Sequence, residues 1–359
     1  MHGLYLLWWV GERGISPAIV ATILAVGDLA LIRLELPTGW FADRRVAERP
    51  GKAVLARRSA LTDRRGHRTS LIVGSSVQAL GMLACWRGRG VPELIAAAVL
   101  VALGDAFRSG ADEALLYRTC IAVGREDDFQ RIEARTRAAG LTALVGLLLA
   151  GGLIVTMWGF AAGWAVETAL CALGLAIACA MVEPPALIAD PQPDRSEREP
   201  GKERALRRPR RMAMLILPAA LLGGLASASS FLAQTEGTMR PDAVTVLVAV
   251  ITLAEAAGAA LAAQLSGADV RGPWLLAAGG VALAGATVGL PSGMLIAAVA
   301  LSFILGLVHP LRATLLQRAA ADHARARVAS LASACDMASS AIALSWAGAW
   351  RSSTRRVRI

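Results

Sequence analysis

Apolar residues come in long uninterrupted blocks, at about 18–39, 70–86, 93–117, 138–158, 161–182, 212–234, 243–265, 273–290, 292–316 and 329–350. Helical blocks of roughly 17–25 residues cross about 30 Å of hydrocarbon at about 1.5 Å per residue. Most are apolar all round rather than striped on one face, which excludes an ordinary soluble bundle. The pattern predicts an all-α membrane protein with ten full spans. A shorter run, Gly3-Leu-Tyr-Leu-Leu-Trp-Trp-Val10, reads as the outer end of a further helix whose beginning is absent, making about 10–11 transmembrane helices. Composition agrees: 55% of residues are hydrophobic and 18% charged, and the mean hydropathy is +0.53. No basic stretch followed by a small-residue cleavage site precedes the first block, so no secretory signal is expected.

The polar intervals set the orientation. Intervals 40–69, 118–137, 183–211, 266–272 and 317–328 hold 9, 5, 8, 1 and 3 Lys and Arg residues, whereas the alternate ones hold only Arg13, Arg87, Arg89 and Arg240. Positive residues stay on the cytoplasmic side, so this set belongs there, in a cell (inner or plasma) membrane. The net charge of +10 is then a topology signal. It predicts a lipid bilayer as partner and no nucleic acid, for want of a soluble basic face. The interval 183–211 mixes prolines with many charges and reads as a cytoplasmic linker. It divides the chain into an N-terminal half (1–182, first helix partial) and a C-terminal half (212–350, last helix missing). The tail 351–359 carries four arginines and should lie outside, against the charge rule. A chain shortened at both ends, with an altered C-terminus, is the simplest expectation.

Two weak internal echoes fit a duplicated design. Leu115-Leu-Tyr-Arg118 returns as Leu315-Leu-Gln-Arg318, and Gly267-Ala-Asp-Val-Arg-Gly272 repeats the Gly…Asp…Arg…Gly order of the first basic interval. That interval is the most specific stretch in the chain. It opens Glu35-Leu-Pro-Thr-Gly-Trp-Phe-Ala-Asp43 and closes Asp63-Arg-Arg-Gly-His-Arg68. Its wording resembles the Gly-x-x-Ala-Asp-Arg-x-Gly-Arg-Arg loop of the major facilitator superfamily of transporters. Leu103-Gly-Asp-Ala-Phe-Arg-Ser-Gly-Ala-Asp-Glu-Ala-Leu-Leu-Tyr117 is similar to the fourth helix of its drug- and metabolite-export members. Arg325-Ala-Arg-Val-Ala-Ser-Leu331 is similar to the start of their eleventh, with Arg327 in place of Thr. The resemblance implies two six-helix halves around a central site and transport by alternating access. It also implies a gating loop of Gly39, Asp43, Asp63, Arg64, Gly66 and Arg68, whose Asp sits against another helix and locks the outward-facing state. Here Arg44 to Thr62 separate two candidates. Asp43 keeps the spacing to Gly39, Asp63 keeps the Arg-x-Gly-x-Arg spacing, and Asp43 is favoured by its distance from the membrane exit.

Charges inside the spans carry any chemistry, because each costs about 2.5–3.5 kcal/mol at the bilayer centre. Asp105, Arg108 and Asp112 fall at i, i+3 and i+7 and share one helical face. Arg33 and Glu35 lie about 200° apart around a helix and cannot both face one cavity. The resemblance, through the Pro-Thr-Gly that follows Glu35, implies a packing or gating role for it, and the deeper Asp28 is the cavity candidate. Glu167, Glu255 and Asp336 are lone acids in three other spans. Lone acids face the bundle interior, where burial suits them to carrying protons. Arg312, with His309 and Pro310 just before it, marks another candidate; Pro310 can kink its span, and His309 reads as either structural or a proton relay.

The chain therefore reads as a secondary transporter, moving a small molecule outward in exchange for protons. No Gly-x-x-x-x-Gly-Lys-[Ser/Thr] phosphate loop is present, so ATP is not the driving force. No cofactor, metal or catalytic residue is expected. His2, His67, His309 and His323 form no catalytic grouping, and the five cysteines have neither metal nor redox spacing. The alternative is a transport-incompetent remnant of such a protein, or a membrane scaffold.

Overall fold

The computed structural model describes residues 8–47, 66–184, 209–235, 241–265, 271–287, 292–320 and 325–356. A π-turn at Trp8–Glu12 precedes α1 (Pro17–Ala47), α2 (Gly66–Arg87), α3 (Val91–Arg108), α4 (Ala111–Ala122) and α5 (Phe129–Ala180). After the linker come α6 (Pro209–Thr235), α7 (Pro241–Ala262), α8 (Arg271–Thr287), α9 (Gly293–Ala319) and α10 (Arg325–Arg356). Among the described residues, seven helical stretches are long and apolar enough to cross a membrane. With this architecture the chain is an all-α membrane protein.

Local sequence explains two interruptions. Gly159 sits at φ 79° and ψ 172°, inside the 52 residues of α5. An unbroken helix of that length would run about 78 Å, more than twice the hydrocarbon thickness. Leu144 and Ile154 from one arm line the same cavity as Gly163 and Ala178 from the other, so α5 doubles back at Gly159 into two passes. The second interruption was not foreseen. The block at 93–117 was expected as one helix, but Gly110 takes φ 72°, and α4 begins there on a new axis. A Cβ at Gly110 would meet the Ala326 carbonyl oxygen at 2.7 Å. Close approach of α10 and the left-handed backbone both require glycine there. The start of α3 is better signalled: Pro92 lies in its first turn and the Glu93 carboxylate accepts the Gly90 N–H at 3.3 Å.

Small residues bring the helices together where lipid supplies no hydrophobic drive. Gly74 on α2 and Gly104 on α3 interlock, each denying the other's carbonyl oxygen 2.8 Å from a would-be Cβ. Gly258 on α7 and Gly306 on α9 press closer still. A Cβ on the first would collide with the Phe303 carbonyl, and one on the second with the Glu255 carbonyl. The most extensive contacts between helices before the linker and helices after it run α1 along α10 and α5 along α7, with smaller ones of α4 to α9 and α10 and of α5 to α9. In the first, Ser333 Oγ donates to Glu35 Oε1 at 2.8 Å. In the second, Gln130 Nε2 donates to the Leu265 carbonyl at 2.9 Å.

At the end carrying the basic intervals, Glu183 follows the last turn of α5. Its carboxylate accepts the backbone N–H groups of His67 (3.1 Å) and Arg68 (3.2 Å), at the start of α2. It also pairs with Arg118 at 3.2 Å, with 4% and 2% of the two side chains exposed. Burial pushes the Glu183 carboxyl above the usual carboxylate range, against the pull of those N–H groups and Arg118.

Two outcomes follow. Gly258→Ala drives α7 from α9 and lowers the yield of monodisperse protein in detergent at least severalfold. Gly146→Ala, where nothing lies within 4 Å of the new methyl, leaves that yield unchanged. Glu183→Ala costs about 3–5 kcal/mol, as removal of one partner of a buried pair does. Arg318→Ala, whose ion pair with Asp127 is exposed at 41% and 106%, costs no more than about 1 kcal/mol. Thermal unfolding of the two variants in the same detergent checks the ranking.

Candidate functional site

Two cavities with polar side chains in their walls open between the helices. The first, about 550 Å³, lies between α2, the junction of α3 with α4, and the two arms of α5. Its wall is mostly apolar, with Gln78, Arg108, Asp112 and Glu167 as its principal polar lining. The second, about 460 Å³, is lined by α4 to α7, α9 and α10, and so by helices from both sides of the linker.

The second cavity holds most of the intramembrane charge. Arg137 Nη2 on α5 donates to Glu255 Oε1 on α7 at 2.7 Å. Arg312 Nη1 on α9 stands 2.7 Å from both carboxylate oxygens of Asp336 on α10. Arg312 Nη2 donates to His309 Nδ1 at 3.0 Å, which fixes the imidazole proton on Nε2. Asp112 and Glu113, the first acids of α4, also line this cavity. They form no ion pair among the described residues; Asp112 Oδ1 accepts the Glu113 N–H at 2.8 Å. These charged residues fall 7–11 positions from the basic-end terminus of their helices, or roughly 10–17 Å along the axis. That places them inside the helical stretches, where charge within a membrane survives only if paired or facing water.

The structure brings together Asp112, Glu255, Arg312 and Asp336 among the residues singled out from the sequence. Glu255 and Asp336, each the lone acid of its own span, both meet an arginine from a neighbouring helix. Arg137 escaped notice because the apolar block was begun at residue 138. The helix starts at Phe129, so Arg137 lies two turns inside. Glu113 was passed over although it stands in the quoted 103–117 motif. The shared face of Asp105, Arg108 and Asp112 is broken at Gly110. Asp105 and Arg108 stay together at 3.9 Å, with Gln78 bonded to both, while Asp112 turns toward both cavities. Glu167 lines the first cavity only.

Asp28 is exposed on α1 and lines neither cavity. Glu35 is buried at 1% exposure, in the seam of α1 with α10, and its partner Ser333 lines the second cavity. Of the loop motif, Gly39 and Asp43 belong to the last turns of α1, with side chains outside the described residues, as Asp63 and Arg64 are entirely. Gly66 opens α2. The Arg68 guanidinium donates to the Cys179 carbonyl, tying the motif's end to α5 beside Glu183. The Arg118–Glu183 pair was missed because both residues stand where apolar blocks give way to basic intervals. No group of three or more metal-ligating side chains occurs among the described residues.

Among curated proteins, none matches this chain. Among solved structures, the fold is similar to that of a variant of the E. coli fucose:proton symporter. The TM-score is 0.61 at 14% sequence identity, over 98% of this chain and 91% of that one. The family profile described as Major Facilitator Superfamily matches residues 58–344. That stretch contains both inter-helix ion pairs and most of the spans, and on it the chain belongs to the Major Facilitator Superfamily, whose members are transporters rather than enzymes.

Proposed function

We propose that the chain carries a small molecule outward across a cell membrane in exchange for protons, by alternating access around the second cavity. The reading places residues 1–182 and 212–350 as the two moving halves and 183–211 as a cytoplasmic linker. The observation that carries it is the charge lining one cavity from both sides of the linker: Asp112, Glu113 and Arg137 from one, Glu255, Arg312 and Asp336 from the other. Arg137–Glu255 crosses between the halves, and Arg312–Asp336 lies within the second. A buried ion pair is stable only while both partners stay charged and in contact. Protonating Glu255 releases Arg137 and loosens the seam between α5 and α7; losing the proton restores it. Proton occupancy is thereby tied to how the halves meet.

Coupling also draws support from the structural neighbour, whose name pairs its solute with protons. That name specifies symport, so outward exchange rests on the resemblance of the 103–117 stretch to export members. At the basic end we assign the closing contact of the loop to Asp43, with Arg68 held by Glu183 and Cys179 as its fixed side.

Proteoliposomes containing the purified chain and loaded with a small-molecule cell extract test the central claim. With the outside made acid, at least one solute leaves faster than from protein-free vesicles, as followed by mass spectrometry. Glu255→Gln reduces that gradient-driven flux at least about tenfold. No solute moving above the control would sink the reading, and flux indifferent to the gradient would remove proton coupling from it.

Orientation has its own check. In a cysteine-free background, a cysteine at Ser196 is shielded from an impermeant maleimide applied to intact cells, and one at Thr238 is labelled. The opposite labelling reverses the topology.

A further inference from the structure

The second cavity has a definite charge character. Four carboxylates line it (Asp112, Glu113, Glu255 and Asp336) against two guanidiniums, Arg137 and Arg312. Both guanidiniums already hold a carboxylate at 2.7 Å, which leaves Asp112 and Glu113 as surplus acids facing the space. An anionic solute would have to displace Glu255 or Asp336 from its arginine while meeting the field of the surplus pair. A cation meets no such competitor, and in a low-dielectric site opposite charge is worth far more than in water.

The wall also offers a polar group that the protein does not use. Ser302 on α9 lines the cavity at 4% exposure, and its hydroxyl has no hydrogen-bond partner among the described residues. On the cavity wall, this hydroxyl is open to a ligand or water there. The Asp112 carboxylate accepts backbone N–H groups, among them that of Glu113, and no side-chain cation is paired with it among the described residues. Asp112 and Glu113 are neighbours on one helix, about 100° apart, and do not converge on one point as the oxygen cage of a metal ion must. The volume, about 460 Å³, lies within the usual range for small organic ligands, about 300–1,000 Å³.

Resting on the transporter reading above, we propose that the cavity selects a monovalent organic cation, such as an amine or quaternary ammonium compound. Asp112 and Glu113 supply the counter-charge, and Ser302 a hydrogen bond to a polar group on the ligand. Glu113 thereby becomes a specificity-determining residue for this site.

The test needs binding alone, so it is separable from transport. Pyronin Y (cationic) and fluorescein (anionic) share a xanthene core and carry opposite charge; fluorescein adds a carboxyphenyl ring, so the small competitors below separate charge from size. Fluorescence polarisation with the purified chain in detergent, at matched pH and ionic strength, should show saturable binding of pyronin Y at least about tenfold tighter than that of fluorescein. Tetraethylammonium should displace pyronin Y, and benzenesulfonate at the same concentration should not. Asp112→Asn with Glu113→Gln should weaken pyronin Y binding by about tenfold or more while the protein stays monodisperse. Should that variant not fold, the dye pair and the two competitors decide the matter on the unaltered chain. Fluorescein binding as tightly as pyronin Y, binding of neither dye, or full retention of pyronin Y by the double variant overturns the proposal. Charge-selective binding without flux in the extract-loaded vesicles leaves this site standing and overturns only the transporter reading.

Discussion

A charge at the centre of a bilayer must find a partner inside the protein, and the arrangement of this molecule follows from that constraint. Arg137 and Arg312 stand within helices of the bundle and line its second cavity. Each is met by a carboxylate on another helix at 2.7 Å. The Arg137–Glu255 contact spans α5 and α7 and the Arg312–Asp336 contact spans α9 and α10, so charge pairing sets which helix faces meet. The backbone follows the same rule. Nearly every N–H and C=O must be satisfied within its own helix, so the chain has little choice but to be helical wherever it meets lipid.

Packing works with that constraint. Gly258 against Phe303 and Gly306 against Glu255 bring α7 and α9 to backbone contact. The acid and His309 are thereby set on adjoining walls of one cavity. Gly110 does the same at the other side: by ending α3 and admitting α10 closely, it turns Asp112 and Glu113 inward on a fresh helical axis. Small residues in this protein therefore place the charged ones.

The seam between α1 and α10 differs from the seam between α5 and α7. It carries a neutral donor, Ser333 to Glu35, beside two hydroxyl bonds to the end of α3, Thr38 to the Ala106 carbonyl and Ser330 to the Ser109 carbonyl. The other is closed by an ion pair. The two seams therefore rest on different interactions, an ion pair beside the Gln130 contact in one and hydroxyl hydrogen bonds in the other.

The sequence by itself determined the fold class, most helix positions and the family. A bilayer imposes a length and an apolar composition on every span, and both are properties of residues taken singly. It also named Asp112, Glu255, Arg312 and Asp336, because an ionisable residue inside an apolar block is conspicuous wherever it lies. Tertiary structure alone decided the pairings. Arg137 and Glu255 are 118 positions apart and Arg312 and Asp336 are 24, and hydropathy carries no information about which helix faces which. Residues at block edges, such as Arg137, Arg118 and Glu183, were hidden for a related reason. A polar residue there reads as loop, and only packed helices reveal that it is buried. The break at Gly110 was likewise invisible, since a glycine in an apolar run looks the same whether it eases helix contact or ends the helix; the approach of α10 made the difference.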